Sequence, residues 1–343
     1  MQQGSDTLLG DEAGVAKATP ASRLGAGLIA RRQLVADFGL LLVTLVWGAT
    51  FVMVKDAVSA FPVFSFMALR FALAAASLAP ITIWRRRQLA AENPAGPFGG
   101  RRWTWPRFRR LALSSLLIGG ALFAGYALQT TGLTLTTPAK AGFITGLSVA
   151  IVPLAAALLL HQSPGRSAWL GVALATAGLA LLSLTSGLRI DLGDLLVLGC
   201  AFSFAAHILL TGHFAPRHDP LLLTMGQVVT VALLSAAAAL LFDVPAWGLP
   251  ELAGRLNSGV IGAAAFTGLL ATAAAFGIQT VAQRFTTSTH TALIFSAEPV
   301  FAGLFSFLLT GEILGPRQLL GCALILAGMV VAEMRRPAPS AGG

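Results

Sequence analysis

Charge is what this chain has least of. Asp, Glu, Lys and Arg make up 11% of its 343 residues, where a soluble domain carries roughly a quarter. With 56% apolar residues and a mean hydropathy of +0.79, too little polar surface is left for a water-facing shell. The bilayer class follows. Cysteine is scarce as well. Cys200 and Cys322 both fall inside apolar runs, without metal-ligand spacing or support for a disulfide, and read as small packing residues. No GxxxxGK loop, paired His/Glu metal spacing or GxSxG elbow occurs. Nothing therefore points to nucleotide hydrolysis, a metal, a cofactor or a catalytic nucleophile.

The net charge is +9, yet the basic residues sit in short clusters between apolar runs. Arg85, Arg86 and Arg87 form one cluster, and Arg101, Arg102, Arg107, Arg109 and Arg110 another. Loops beside membrane spans look this way. A nucleic-acid footprint would need a folded polar domain to carry it, so the expected partner is the lipid bilayer and not nucleic acid. Residues 1–36 are rich in Gly, Ala and Ser and are expected to form a disordered cytoplasmic N-terminus. Their first sixteen residues hold no Lys or Arg, and Leu24–Ala30 is too short for a signal-peptide core, so no cleaved signal is expected.

Apolar windows long enough to cross about 30 Å of hydrocarbon at about 1.5 Å per residue fall near 38–54, 61–83, 111–128, 139–160, 168–185, 192–212, 220–242, 258–280, 288–310 and 316–334. The expected fold is an all-α integral membrane protein of ten transmembrane helices. With the N-terminus inside, cytoplasmic segments hold 17 of the 23 Lys and Arg and the opposite side 4. That bias places both termini in the cytoplasm, in a plasma or inner cell membrane.

Residues 121–180 align with 271–330 at a constant offset of 150 without a gap, and 17 of the 60 pairs are identical. Beyond Ala and Leu the matches are Gln129/Gln279, Thr130/Thr280, Thr136/Thr286, Thr137/Thr287, Ile144/Ile294, Gly165/Gly315, Gly171/Gly321 and Gly178/Gly328. Composition alone would not hold polar and glycine positions in register. An odd number of spans separates the matching elements, so the halves must insert in opposite directions. The expected architecture is a five-helix repeat over 37–185, an inverted one over 191–334, and a tail at 335–343. A ligand site then belongs between the repeats near the midplane.

Short motifs occur in a recognisable order: Trp47-Gly48-Ala49-Thr50-Phe51 with Lys55 after it, Leu69-Arg70-Phe71, Ala139 through Leu147, Val152-Pro153-Leu154, Ala297-Glu298-Pro299-Val300, Gly311-Glu312, and Gly321 through Gly328. In this order, with the repeat, the chain resembles the EamA-like family of the drug/metabolite transporter superfamily over about residues 37–334. It departs at His161-Gln162, which stands where the second half has Gly311-Glu312. The resemblance implies secondary-active transport, commonly export, of metabolites, amino acids or toxic compounds, without nucleotide hydrolysis and without enzymatic activity. A membrane-embedded receptor, a scaffold or an intramembrane enzyme are the alternatives.

Arg70 lies mid-span, where a charge costs at least about 2.5–3.5 kcal/mol; it either meets a ligand or bonds neighbouring helix ends. Lys140 and its repeat mate His290 would together suit an anionic group, although Lys140 could instead snorkel to the interface. Glu298, followed by helix-breaking Pro299, suits proton coupling, or else a salt bridge with Arg70. Gln129, Gln279, Thr145, Gln227 and His207 either line a cavity or hydrogen-bond between helices. Trp47 and Tyr126 are expected in an aromatic wall, at the lipid interface or in core packing. Small residues such as Ala173/Ala177 and Ala323/Ala327 serve close packing within the chain, with a homodimer as the other reading.

Overall fold

The computed structural model describes residues 20–92, 105–136, 138–159, 161, 164–183, 191–310 and 315–334. Every regular element among them is helical, because in hydrocarbon a helix satisfies all its backbone groups within one segment. α1 (Pro20–Gly48) continues at a bend into α2 (Thr50–Ala60). The long α3 (Val63–Glu92) and α4 (Trp105–Leu135) follow. Another broken rod, α5 (Pro138–Gly146) and α6 (Ser148–Leu159), leads to α7 (Arg166–Ser183). The second half holds α8 (Leu192–Phe214), α9 (Pro220–Ala238), the short α10 (Val244–Trp247) and α11 (Leu249–Arg255), then α12 (Ser258–Gly268) and α13 (Ala275–Ala282). It closes with α14 (Ser288–Phe295), α15 (Glu298–Thr310) and α16 (Pro316–Met334). Single π-helical turns at Ala239–Asp243 and Leu269–Ala274 join α9 to α10 and α12 to α13.

Among the described residues six helices are long and apolar enough to cross a membrane, and seven if the bent α1–α2 pair is one span. The windows at 168–185 and 316–334 emerge as shorter apolar helices, Arg166–Leu181 and Pro316–Ala332. That at 288–310 is interrupted between α14 and α15. α1 begins inside the segment whose composition suggested disorder, while residues 1–19, the tail 335–343, Gln162 and the Gly311-Glu312 pair lie outside the described residues.

The internal repeat reappears as geometry. The break between α5 and α6 falls at Leu147 and that between α14 and α15 next to Ala297, its mate at the 150-residue offset. α4 packs on α8 as α13 packs on α1, and α3 meets α9 directly. The largest helix contact joins α7 to its own counterpart α16. There a Cβ added to Gly171 would lie 2.6 Å from the Gly328 carbonyl oxygen, and one on Gly178 would lie 2.5 Å from that of Gly321. Moving forward along α7 thus means moving back along α16: the helices cross antiparallel. Since Gly171 matches Gly321 and Gly178 matches Gly328, each glycine meets the mate of the other, the signature of a two-fold relation between halves. Only glycine lets the backbones come this close.

Candidate functional site

A cavity of about 90 Å³ accessible to water lies between the halves. Its lining follows the repeat: Tyr126 and Phe276, Gln129 and Gln279, Thr145 and Phe295, Gly146 and Ser296, Ser148 and Glu298 all line it, and every pair is 150 residues apart. The first helices of the halves add Trp47 with Phe204 and Thr50 with His207. Polar side chains enter this region because both rods break here. The breaks at Leu147 and Ser296-Ala297 keep their backbone hydrogen bonds, and Ser148 and Glu298, the first residues of α6 and α15, line the cavity just after them.

Arg70, only 4% exposed, reaches in from α3. Its Nε donates to Thr272 Oγ1 at 2.8 Å, in the π-helical turn, and an Nη donates to the Tyr126 hydroxyl at 3.2 Å. The guanidinium also lies 4.7 Å from the Tyr126 ring centroid, a cation–π distance. No carboxylate pairs with it among the described residues; in particular it forms no salt bridge with Glu298. The Glu298 carboxyl lines the cavity and likewise has no hydrogen bond or ion pair among the described residues. The walls thus carry one cation and one carboxyl group that do not neutralise each other.

The remaining wall is aromatic. Trp47 stacks edge-on against Phe295 at 4.8 Å and lies 5.6 Å from Phe276, with its indole nitrogen donating to the Ala271 carbonyl at 2.8 Å. Ala271 belongs to the π-helical turn Leu269–Ala274, so this bond ties Trp47 of α1 to that turn. Tyr126 makes edge contacts with Phe71 and Phe204.

Polar groups behind the walls are mostly satisfied. Gln129 donates to Thr145 at 3.2 Å. His207 Nε2 lies 2.9 Å from Gln227 Oε1, and Gln227 donates to Thr280, which donates to the Phe276 carbonyl. With the Gln227 amide nitrogen so used, its oxygen accepts, and the His207 proton sits on Nε2. Gln227 is therefore behind the wall, orienting His207, and does not line the cavity. Gln279 donates to Gln283, but its Oε1 is a buried acceptor without a partner among the described residues.

Eight of the residues expected at a site converge here: Trp47, Arg70, Tyr126, Gln129, Thr145, His207, Gln279 and Glu298. His290 does not. It pairs with Asp37 at 3.3 Å, joining α14 to α1 away from the cavity. Lys140 lies in α5, and its side chain is outside the described residues. Sequence reasoning missed Thr50, Thr130, Ser148, Ser296, Phe204, Phe276 and Phe295. Extending the 150-residue register from Thr145, Tyr126 and Glu298 would have found Phe295, Phe276 and Ser148. The site holds no cluster of three metal-ligating side chains among the described residues.

Comparison with known proteins agrees with this geometry. The model of the EamA-like transporter family matches twice, over residues 34–184 and 191–334. The chain is 33% identical over 304 residues to an uncharacterized transporter of Archaeoglobus fulgidus, covering 89% of this chain and 87% of the relative. It is 26% identical over 291 residues to the uncharacterized transporter YwfM of Bacillus subtilis, covering 83% and 89%. A solved crystal structure at 21% identity superposes with a TM-score of 0.68, covering 89% of this chain and 97% of that one, a likeness of fold.

Proposed function

Because the chain belongs to the EamA-like transporter family, we propose that it carries small organic solutes, amino acids and related metabolites among them, through the central cavity by alternating access, as an exporter. It is a multi-pass membrane transporter. The observation that carries the reading is the lining of the cavity by residues from matched positions of both halves. A site on the axis between repeats can open to either face when one half rocks against the other. The antiparallel crossing of α7 and α16 supports an inverted arrangement. Counting α1–α2, α5–α6, α9–α10, α12–α13 and α14–α15 as single broken spans, with α3, α4, α7, α8 and α16, gives ten. An even count puts both termini on one face, and the bias of Lys and Arg makes that face the cytoplasmic one.

Arg70 and Glu298 offer opposite charges to a solute, the orphaned Gln279 oxygen accepts a donor, and the aromatic wall takes apolar parts. Glu298, open to the cavity and unpaired, is the group that couples movement to protons: it holds a proton in one access state and releases it in the other. The test is solute flux by purified protein in liposomes, with and without an imposed proton gradient. Flux that saturates and responds to the gradient is expected. The substitution Glu298→Gln, which keeps size but fixes the neutral form, should still fold while transport loses its pH dependence. Wild-type gradient response in Glu298→Gln would remove the coupling role, and no flux of any tested solute by folded wild-type protein would remove the transport reading.

A further inference from the structure

On the outer flank of the bundle, away from the central cavity, α1, α13 and the start of α9 enclose a groove of about 700 Å³. Its shape comes from residue size. Gly39 of α1 sits against Ile278 of α13, where an added Cβ would be 2.9 Å from the Ile278 methyl. Gly277 beside it faces open space. The helices are thus close at one side chain and separated by a slot where the next has none. The long walls are apolar and outward-facing: Phe38 is 62% exposed, Val281 42% and Phe285 40%.

One end differs. Arg31 and Arg32 line it, both exposed, and Arg284 is exposed just before Phe285 at the same end. Neither Arg31 nor Arg32 has an ion-pair or hydrogen-bond partner among the described residues. The nearby acids are engaged elsewhere: Asp37 with His290, and Asp219, just before α9, with Arg85 at 3.0 Å. The result is an apolar slot about two helical turns long, open along its side and capped by guanidinium groups that have no partner among the described residues.

We propose that this groove is a binding site for an anionic phospholipid, its phosphate held by Arg31 and Arg32 and one acyl chain laid along the slot over Gly277. Guanidinium groups meet phosphate oxygens bidentately, and basic pockets between membrane helices select anionic headgroups. Charge complementarity at the end and apolar walls along the length together fit a lipid. A free phosphate would leave the slot empty, and a second copy of the chain would bring no anion to the arginines from the groove itself. α1 and α13 both carry cavity-lining residues or their supports, Trp47 and Phe276 among them, so an occupied groove also braces the seam between the halves.

The test uses the full-length protein in neutral detergent, titrated with dioleoyl phosphatidylglycerol, dioleoyl phosphatidylcholine and glycerol 3-phosphate, and read by native mass spectrometry and by thermal unfolding. Phosphatidylglycerol should bind and raise the unfolding temperature, phosphatidylcholine should bind markedly more weakly, and glycerol 3-phosphate should do neither. The double substitution Arg31→Gln/Arg32→Gln should weaken phosphatidylglycerol about 30-fold, at about fivefold per arginine, and bring it level with phosphatidylcholine. Gly277→Leu fills the slot without touching charge, and should weaken both lipids while leaving the lipid-free protein folded. Equal affinity for the two lipids in wild type would overturn the proposal. So would a phosphatidylglycerol affinity untouched by the arginine substitutions, or binding of glycerol 3-phosphate as tight as that of the lipid. A Gly277→Leu effect confined to a monomer–dimer equilibrium would assign the groove to a second copy instead.

Discussion

The glycine crossing of α7 and α16 allows a sharp test, because a single methyl group has opposite consequences at two glycines. In Gly178→Ala the new Cβ would lie 2.5 Å from the Gly321 carbonyl oxygen, 2.8 Å from Ile325 Cγ1 and 2.9 Å from the Ile325 nitrogen. Ordinary contact begins near 3.4 Å, so the helices must part by nearly an ångström. Two of the three obstacles are backbone and cannot turn aside. Overpacking of this kind costs about 1–3 kcal/mol, and separating the helices also weakens Cα–H···O contacts of about 0.5–1 kcal/mol each. Against this, Ala favours the helix over Gly by up to about 1 kcal/mol. The steric cost wins, and a net loss of about 1–3 kcal/mol is expected. Gly120→Ala in α4 is the control. Nothing lies within 4 Å of its added Cβ, so only the helix preference remains and stability should hold or rise. Gly328→Ala should behave like Gly178→Ala, since its Cβ meets the Gly171 oxygen at 2.6 Å. Thermal unfolding in detergent, followed by the monodisperse fraction after heating, reads all three. If Gly178→Ala melts at or above the wild-type temperature, the α7–α16 interface is not set by glycine contact and the reasoning fails.

Arg70→Lys keeps the charge but gives up the planar fork that reaches Thr272 and Tyr126 together; losing one charge-assisted bond of about 1.5–3 kcal/mol should lower the unfolding temperature, and an unchanged melt would show that the fork does not matter. His218, between α8 and α9, lies beside Ser114 at 3.0 Å, and burial, then the neighbouring Arg217 charge, holds its imidazole below the ordinary histidine range. The unfolded chain therefore takes up a proton that the folded one refuses, so stability is full above about pH 6.5 and declines as pH falls below it. His218→Gln should flatten the unfolding temperature across that window, and an identical acid slope in the variant would assign the effect to other groups.

The membrane class, the helical fold and the repeat were legible in the residues themselves. Long apolar runs allow little besides helices in hydrocarbon, and a gap-free 150-residue register survives only where two halves share one packing scheme. Six cavity residues, Arg70, Gln129, Thr145, His207, Gln279 and Glu298, were legible because a polar side chain in an apolar run is costly unless it meets water or a partner, so its presence marks an interior face. What separated Glu298 from His290, both polar and at helix starts in the same apolar window, was position relative to the break between α14 and α15. Glu298 follows the break and faces the cavity, while His290 precedes it by two turns and meets Asp37 of α1. Sequence carries no record of a neighbour's approach from 253 residues away. The aromatic wall was hidden because Phe204, Phe276 and Phe295 look like any other apolar residue until the fold turns them inward. The groove at Arg31 and Arg32 was hidden differently. Their charge reads as an ordinary loop signal, and only the packing of Gly39 on Ile278, with Gly277 left open, creates a slot for it to cap. Local chemistry determined which segments enter the membrane and which side chains are expensive there; the packing of distant helices alone decided which of those side chains share a space.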